Sequence, residues 1–387
     1  MKILQMIPAF YPAMAYGGTV NVAYNMSKEL AKRGHEITVY TSDALDKDSR
    51  HGQKVDIVDG MKVFYFKNVS NTLAWNRFVV NPGIISCLSK DINNFDIIHL
   101  HGFRNFQNIF AFHLANKNKV PYLIQAHGSA LRIIQRQSLK KLYDAVWGYR
   151  LLENASKLIA VSNVEVEQYI QMGADQKKIA VIPNGLDINK LNSQKKHGEF
   201  RKKLNISNER LILFLGRIHQ RKGVDFLIRS FGRVLENENN AILVVVGPDD
   251  GYKRELERII EELGIGNRVK FVDYISNVSE AYTDADVLIY PAIYEIFGLV
   301  PFEAIICGTP VIVADDCGCG EIVKKADCGY LVRYGDVECL KNQIIYVLNN
   351  PDEAKKKVLQ GQRYIYENLT WDKIVTKVEE VYEDCIL

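Results

Sequence analysis

Short apolar runs recur along the chain at 2–7, 35–40, 61–66, 96–101, 121–128, 158–162 and 179–182, and again at 211–216, 241–247, 269–272, 287–290 and 311–314. Continuous apolar character over so few residues predicts strands buried on both faces of a parallel sheet. Longer stretches between them repeat apolar positions at helical spacing, as at Val22, Met26 and Leu30, and predict helices. Strand–helix alternation in both halves predicts an α/β protein of two doubly wound, Rossmann-like domains facing a central cleft. The expected boundaries are 1–187 for the first domain and 211–368 for the second. A polar, charged linker over 188–210, with a short helix from Gly198 to Leu204, separates them, and a final helix opened by Trp371 fills 369–387. Beyond the helix start at Gly320, only helices are expected.

One run organises the second half. The apolar stretch 287–290 is closed by Pro291, and a helix is expected from near Pro301 to just before Gly308, with Pro310 beyond it. Proline suits a first helical turn and glycine a C-terminal cap. Glu295 then sits in the loop and Glu303 in the first turn of the helix, with the amides of Ile296, Phe297, Gly298 and Leu299 between them. Such amides at a helix N-terminus attract an anion, and Gly298 permits close backbone approach. The arrangement suits a diphosphate on the amides with a sugar ring on each carboxylate.

Other strand ends carry matching chemistry. Gly17 and Gly18 open a helix after the first strand without the Gly-x-Gly-x-x-Gly spacing, and their bare amides favour a phosphate. Arg217 and Lys222 follow the strand 211–216, one a rigid fork for phosphate oxygens and the other a movable point charge. His219 and Arg221 alternate with them and are expected in solvent. Two histidines end strands, as His101-Gly102 and His127-Gly128. His99 and His101 are expected on opposite faces, which argues against a shared metal. His101, with Phe103 and Arg104 that follow it, is a candidate for an acceptor pocket, although packing competes for the phenylalanine. Tyr274, Ile275 and Ser276 lie in a loop expected to frame a base. Asp284-Ala-Asp286 precedes its strand, away from the edge where parallel sheets bind ligands, so a metal-bound diphosphate there is not expected.

Glu295, Phe297-Gly298-Leu299, Glu303-Ala304, Gly308 and Pro310 together resemble the signature of the retaining glycosyltransferases of family GT4, and the likeness runs over nearly the whole chain. The resemblance implies the GT-B fold, with an acceptor-binding first domain, a donor-binding second domain and a last helix that crosses back to the first. It implies transfer from a UDP- or GDP-sugar to a glycan or lipid-linked acceptor, in cell-surface polysaccharide or glycoconjugate synthesis. Glu295 would fix the donor sugar and Glu303 the ribose. His127 would stand beside the transferred sugar, and Arg217, Lys222 and Gly18 would meet the diphosphate in place of a metal. No cofactor beyond the nucleotide sugar is expected. An epimerase of the same fold, a sugar phosphorylase and a non-catalytic nucleotide-binding subunit are the alternatives.

At 387 residues the chain exceeds the usual single core, and 47% hydrophobic with 25% charged residues is a globular balance. Net charge is +3, too small to argue for nucleic acid. It is uneven: 1–187 carries 22 Lys/Arg and 15 Asp/Glu, or +7, against 27 and 31, or −4, in 188–387. The basic half suits an anionic partner. Within it, residues 131–155 hold Arg132, Arg136, Lys140, Lys141, Tyr143, Trp147, Tyr149 and Arg150. That region is expected to pack its apolar face on the sheet, with contact to an anionic membrane as the alternative. Gln5, Pro8 and Pro12 interrupt any signal-peptide core and no apolar run reaches membrane-spanning length, so a cytoplasmic enzyme, with peripheral contact to the inner membrane face as a further option, is expected. Seven cysteines lack zinc-site spacing and are expected as free thiols.

Overall fold

A computed structural model describes residues 1–132 and 137–386. The chain divides into two compact units, one of residues 1–185 and 371–387, the other of residues 186–370.

The first unit is built on an eight-stranded sheet of β1 (Lys2–Met6), β2 (Glu36–Ser42), β3 (Val55–Val58), β4 (Met61–Phe66), β5 (Ile97–His101), β6 (Tyr122–Gln125), β7 (Lys157–Ala160) and β8 (Ile179–Val181). Their order is β3-β4-β2-β1-β5-β6-β7-β8. All pair in parallel except β3, which runs antiparallel to β4. β3 was not expected, because its Val-Asp-Ile-Val alternates and is half exposed. The strand order reverses between β1 and β5, and a crevice forms at the carboxyl edge of such a switch point. The helix Gly18–Lys32 buries Val22, Met26 and Leu30 against this sheet. The last helix, Trp371–Ile386, belongs to this unit and packs Ile374, Val375, Val378 and Tyr382 into the same core as Ile3, Ile37 and Val39. Arg33 ties it down, donating to Glu379 at 2.5 Å and to Asp372 at 2.6 Å.

The second unit holds six parallel strands: β9 (Arg210–Leu215), β10 (Ala241–Val246), β11 (Val269–Val272), β12 (Val287–Tyr290), β13 (Val311–Ala314) and β14 (Tyr330–Val332). They lie in the order β11-β10-β9-β12-β13-β14, so the switch point falls between β9 and β12. β14 corrects the expectation of helices alone beyond Gly320: its three residues are too short a run for periodicity to declare. Residues 188–210, read from their polarity as a linker, are folded into this unit as the helices Ile188–Ser193 and Glu199–Lys203. Asp284 organises that segment, accepting from the amides of Gly198, Phe200 and Arg201 at 2.6–3.0 Å. Asp286 accepts from Arg201 at 2.7 Å and from the Leu211 amide at 2.7 Å. Both carboxylates of the Asp-x-Asp are thus used structurally.

Candidate active site

The switch point of the second unit gathers the residues singled out after β9 and β12. Lys222 lies at the end of the β9 loop, in a short 3-10 turn before the helix Val224–Val234. Its Nζ donates to the Tyr290 hydroxyl at 2.8 Å and forms a short ion pair with Glu295. The same carboxylate accepts from the Tyr290 hydroxyl at 2.9 Å. Both members of the pair are about one-fifth exposed (19% and 20%), so the cluster is sheltered but reachable. Burial pushes the Glu295 carboxyl up. The Lys222 charge and hydrogen bond, with donation from Tyr290 and the Phe297 amide, outweigh it and hold Glu295 below the usual range.

The helix after this loop runs Leu299–Cys307, with Gly298 as its N-cap and Gly308 as its left-handed C-cap, so Pro301 falls in the first turn as expected. Gly298 is itself left-handed (φ 73°). The next loop braces this one: the Gly318 amide donates to the Glu295 carbonyl at 2.8 Å, and a Cβ on Gly318 would stand 1.8 Å from the Ile296 carbonyl oxygen. Cys317 and Cys319 are buried here, their sulfurs 3.1 Å apart; among the described residues all cysteines are free. Glu303 is held by the buried Tyr282, whose hydroxyl donates to it at 2.8 Å, and burial raises its pKa.

Arg217 stands apart from this cluster, half exposed and donating to Asp250 at 2.7 Å. His219 and Arg221 are not the solvated pair expected. The His219 ring accepts from the Arg221 amide at 3.1 Å, closing the turn that carries Lys222, and the Arg221 Nε is buried without a partner. Burial and the neighbouring Arg221 charge lower the His219 pKa. Ile275 lies half-buried between the exposed Tyr274 and Ser276 in the loop after β11.

In the first unit, Gly17 (φ 96°) caps the helix Gly18–Lys32, and a Cβ on either Gly17 or Gly18 would meet nothing within 4 Å. Nothing in the unit packs against Gly18, so its missing side chain is not a packing need of the unit itself. His127 follows β6 in the left-handed region at φ 51°. The turn it begins is held by Glu165, a buried carboxylate accepting from the Gly128 amide at 2.6 Å and the Val161 amide at 2.8 Å. Burial pushes Glu165 up to about 7.

His99 and His101 share one face of β5, with ring centroids 4.1 Å apart and nearly parallel planes. The expectation of opposite faces fails because residues i and i+2 of a strand point the same way. His127 extends the stack at 5.3 Å from His101. Burial keeps all three imidazoles neutral, with His127 pushed down to about 3. Among the described residues no group of three or more His, Cys, Asp or Glu side chains, this stack included, is placed to hold a metal ion.

The acceptor pocket expected at His101, Phe103 and Arg104 is corrected. His101 and Phe103 are fully buried, Phe103 within the core. Arg104 is bidentate to the buried Asp144 at 2.8 and 2.7 Å and reaches the carbonyls of Ser129 and Ala130 at 2.6 and 2.8 Å. Arg132 adds a third contact to Asp144 at 2.9 Å. These groups shape the chain after His127-Gly128 from beneath. A buried carboxylate with two arginines needs no external ligand. Arg136 lies outside the described residues. The helix Gln137–Tyr143 buries none of its side chains, whereas Leu151 and Leu152 of the helix Tyr149–Asn154 are in the core.

Two family models account for most of the sequence: "Glycosyltransferase Family 4" matches residues 16–190 and "Glycosyl transferases group 1" matches 196–384. An uncharacterised glycosyltransferase of Methanocaldococcus jannaschii is 26% identical, over 99% of this chain and 98% of its own length. Sucrose-phosphate synthase from Thermosynechococcus elongatus superposes with a TM-score of 0.79 at 21% identity, covering 99% of this chain and 98% of its own. HepE of Anabaena, solved in complex with UDP, gives 0.76 at 21% identity over 99% and 100%. At such identities these solved structures establish the fold, which is GT-B.

Proposed function

The chain belongs to the GT4-type glycosyltransferases, and we propose that it transfers a sugar with retention at the anomeric carbon, from a UDP- or GDP-sugar to a glycan or lipid-linked acceptor. The observation that carries this reading is the Lys222–Glu295–Tyr290 cluster beside the N-terminus of the helix Leu299–Cys307. A leaving diphosphate develops negative charge, and electrostatic stabilisation of that charge is the largest service a protein can offer. Lys222, Arg217 and the amides of 296–299 supply it without asking for a metal. Glu295, kept ionised by Lys222, accepts hydrogen bonds from sugar hydroxyls, and Glu303 accepts from the ribose. Ile275 borders the base.

The bond from the anomeric carbon to the diphosphate oxygen breaks as the bond to the acceptor oxygen forms on the same face. The acceptor proton leaves with the diphosphate. Such front-face transfer requires no protein nucleophile. His127 stands at the transferred sugar. UDP is the first nucleotide to test, since HepE was solved with it.

We further propose that the enzyme works at the cytoplasmic surface of a membrane, building cell-surface polysaccharide or glycoconjugate. Leu139, Leu142, Val146 and Tyr149 are exposed at helical spacing, with Lys141 and Arg150 also exposed among them, a combination that suits an anionic lipid surface. Among the described residues no helix is long and apolar enough to cross a membrane.

A thermal-shift screen over UDP, GDP, ADP and their sugars tests the donor reading. A ligand at a hundred times its Kd stabilises the folded state by about 2.7 kcal/mol. A shift with one nucleoside diphosphate, followed by sugar transfer from the matching donor, is the expected result. No shift and no calorimetric heat with any of them overturns it.

A further inference from the structure

The three stacked histidines are part of a longer buried chain. His127 Nε2 meets His101 Nδ1 at 3.0 Å, and His101 Nε2 meets Gln5 Oε1 at 2.7 Å. Gln5 Nε2 donates to the Tyr382 hydroxyl at 3.1 Å, and that hydroxyl meets His99 Nδ1 at 2.7 Å. Gln5, His99, His101 and Tyr382 are all 0% exposed. The chain joins β1, β5, the turn after β6 and the last helix within one unit.

From these contacts we infer that the chain is polarised in one direction, and that Tyr382 and Gln5 are positioning residues that fix which nitrogen of His127 carries its proton. Gln5 sets the direction, since its amide nitrogen faces the Tyr382 hydroxyl and its oxygen faces His101 Nε2. An amide nitrogen can only donate and an amide oxygen only accept, so the buried Tyr382 hydroxyl accepts from Gln5 and its own proton goes to His99 Nδ1, which is bare. The Gln5 oxygen accepts from His101 Nε2–H. The bare His101 Nδ1 then accepts from His127 Nε2–H.

The opposite polarity would reverse every bond. It would turn the Gln5 amide over, setting its oxygen toward Tyr382 and its nitrogen toward His101, against the placement that the structure shows. Cooperative polarisation along the chain strengthens the direction that Gln5 sets.

The consequence appears at the half-buried end of the chain. His127 Nδ1, which has no partner among the described residues, is a lone pair. It accepts a hydroxyl proton; it does not donate to a phosphate or carboxylate, and it carries no positive charge. This deepens the reading of His127 as a sugar contact and rests on it for its function, although the tautomer itself does not.

The experiment is nitrogen NMR of the imidazoles in the histidine-labelled full chain at neutral pH, with His127 assigned by its loss in His127→Ala. The expected spectrum shows a protonated, pyrrole-like Nε2 and a bare, pyridine-like Nδ1 for His127. Tyr382→Phe removes the hydroxyl that orients Gln5. It should give a mixture of His127 tautomers and lower kcat roughly tenfold, the equivalent of one hydrogen bond, with the donor KM little changed. Gln5→Leu should release the tautomer, whereas Gln5→Glu, ionised or protonated, keeps an acceptor toward His101 and should hold it. A His127 protonated on Nδ1, or doubly protonated, in the wild type overturns the inference without recourse to any variant. So does an unmixed His127 signal in a folded Tyr382→Phe. If instead the spectrum is as expected and His127→Ala transfers sugar at the wild-type rate, the contact with the sugar fails and the polarised chain stands.

Discussion

Gly318→Ala tests whether the loop that carries Glu295 is held in place from behind. Gly318 opens the helix Gly318–Ala326, and its conformation is not one that a side chain strains. Only the contact therefore matters. The new Cβ would lie 1.8 Å from the Ile296 carbonyl oxygen and 2.9 Å from the Phe297 nitrogen. Real Cβ atoms keep at least 3.0 Å, so the loop must retreat by 3.0 minus 1.8, or 1.2 Å or more. The obstructing atom is backbone, and no rotamer change relieves it. The retreat carries Glu295 and the amides of 296–298 with it and strains the 2.8 Å bond from the Gly318 amide to the Glu295 carbonyl. Overpacking costs about 1–3 kcal/mol, and the weakened bond about 1 kcal/mol. A misplacement of about 1 Å costs on the order of 100-fold in rate. Urea denaturation should therefore find a folded, moderately destabilised protein, while initial rates of transfer fall about 100-fold. Gly52→Ala, where a Cβ meets nothing within 4 Å, is the neutral control. A folded Gly318→Ala with wild-type rates would refute the claim that this contact sets the position of Glu295.

Lys222→Ala and Glu295→Ala should each fold and lose transfer by roughly 100-fold or more, the scale of one charge-stabilising group, measured as release of nucleoside diphosphate. Arg104→Ala leaves the buried Asp144 with Arg132 alone and should destabilise the first unit by about 3 kcal/mol in urea titration. Glu165 has its folded pKa raised by burial from 4.5 to about 7, so the folded state binds the proton more tightly than the unfolded one. The linked stability is fully present below about pH 4.5 and is lost as pH rises to about 7, a change of about 3 kcal/mol. Glu165→Gln should remove that slope in unfolding titrations between those pH values, and an unchanged slope would show that Glu165 is not its source.

The buried parallel strands were legible because each is a continuous apolar run, and the four strands nearest the two switch points coincide with such runs. The alternating, half-exposed Val55–Val58 escaped that pattern. Its signal lay in the turn that follows, where Asp59 and Gly60 both take positive φ (47° and 82°), the geometry of a type I′ hairpin favoured by Asp-Gly. That Lys222 and Glu295 lie at one sheet edge, where they meet, could be read because loop chemistry at a strand end is local in sequence. Glu165, Asp144 and Tyr382 could not: each acts through partners that only the tertiary fold brings near, Gln5 and Tyr382 being 377 positions apart. Polarity carries no sequence periodicity that would announce such pairs. The roles expected for Phe103 and Arg104 failed for a related reason, since position after a strand end does not say which side chains turn inward. The segment 188–210 looked like a linker because its apolar residues are few, yet one carboxylate, Asp284, collects its amides into the second unit.

The placement of Tyr382 bears on the order of events at the ribosome. The first unit is interrupted by the whole of residues 186–370 before its closing helix appears. A nascent chain that has emerged as far as residue 185 therefore holds all eight strands of the sheet but not the helix that covers it, with Gln5 and His99 lacking the hydroxyl that joins them and the faces of Ile3, Ile37 and Val39 uncovered. The second unit is contiguous and can mature during translation, whereas its companion must wait until the helix Trp371–Ile386 has left the exit tunnel.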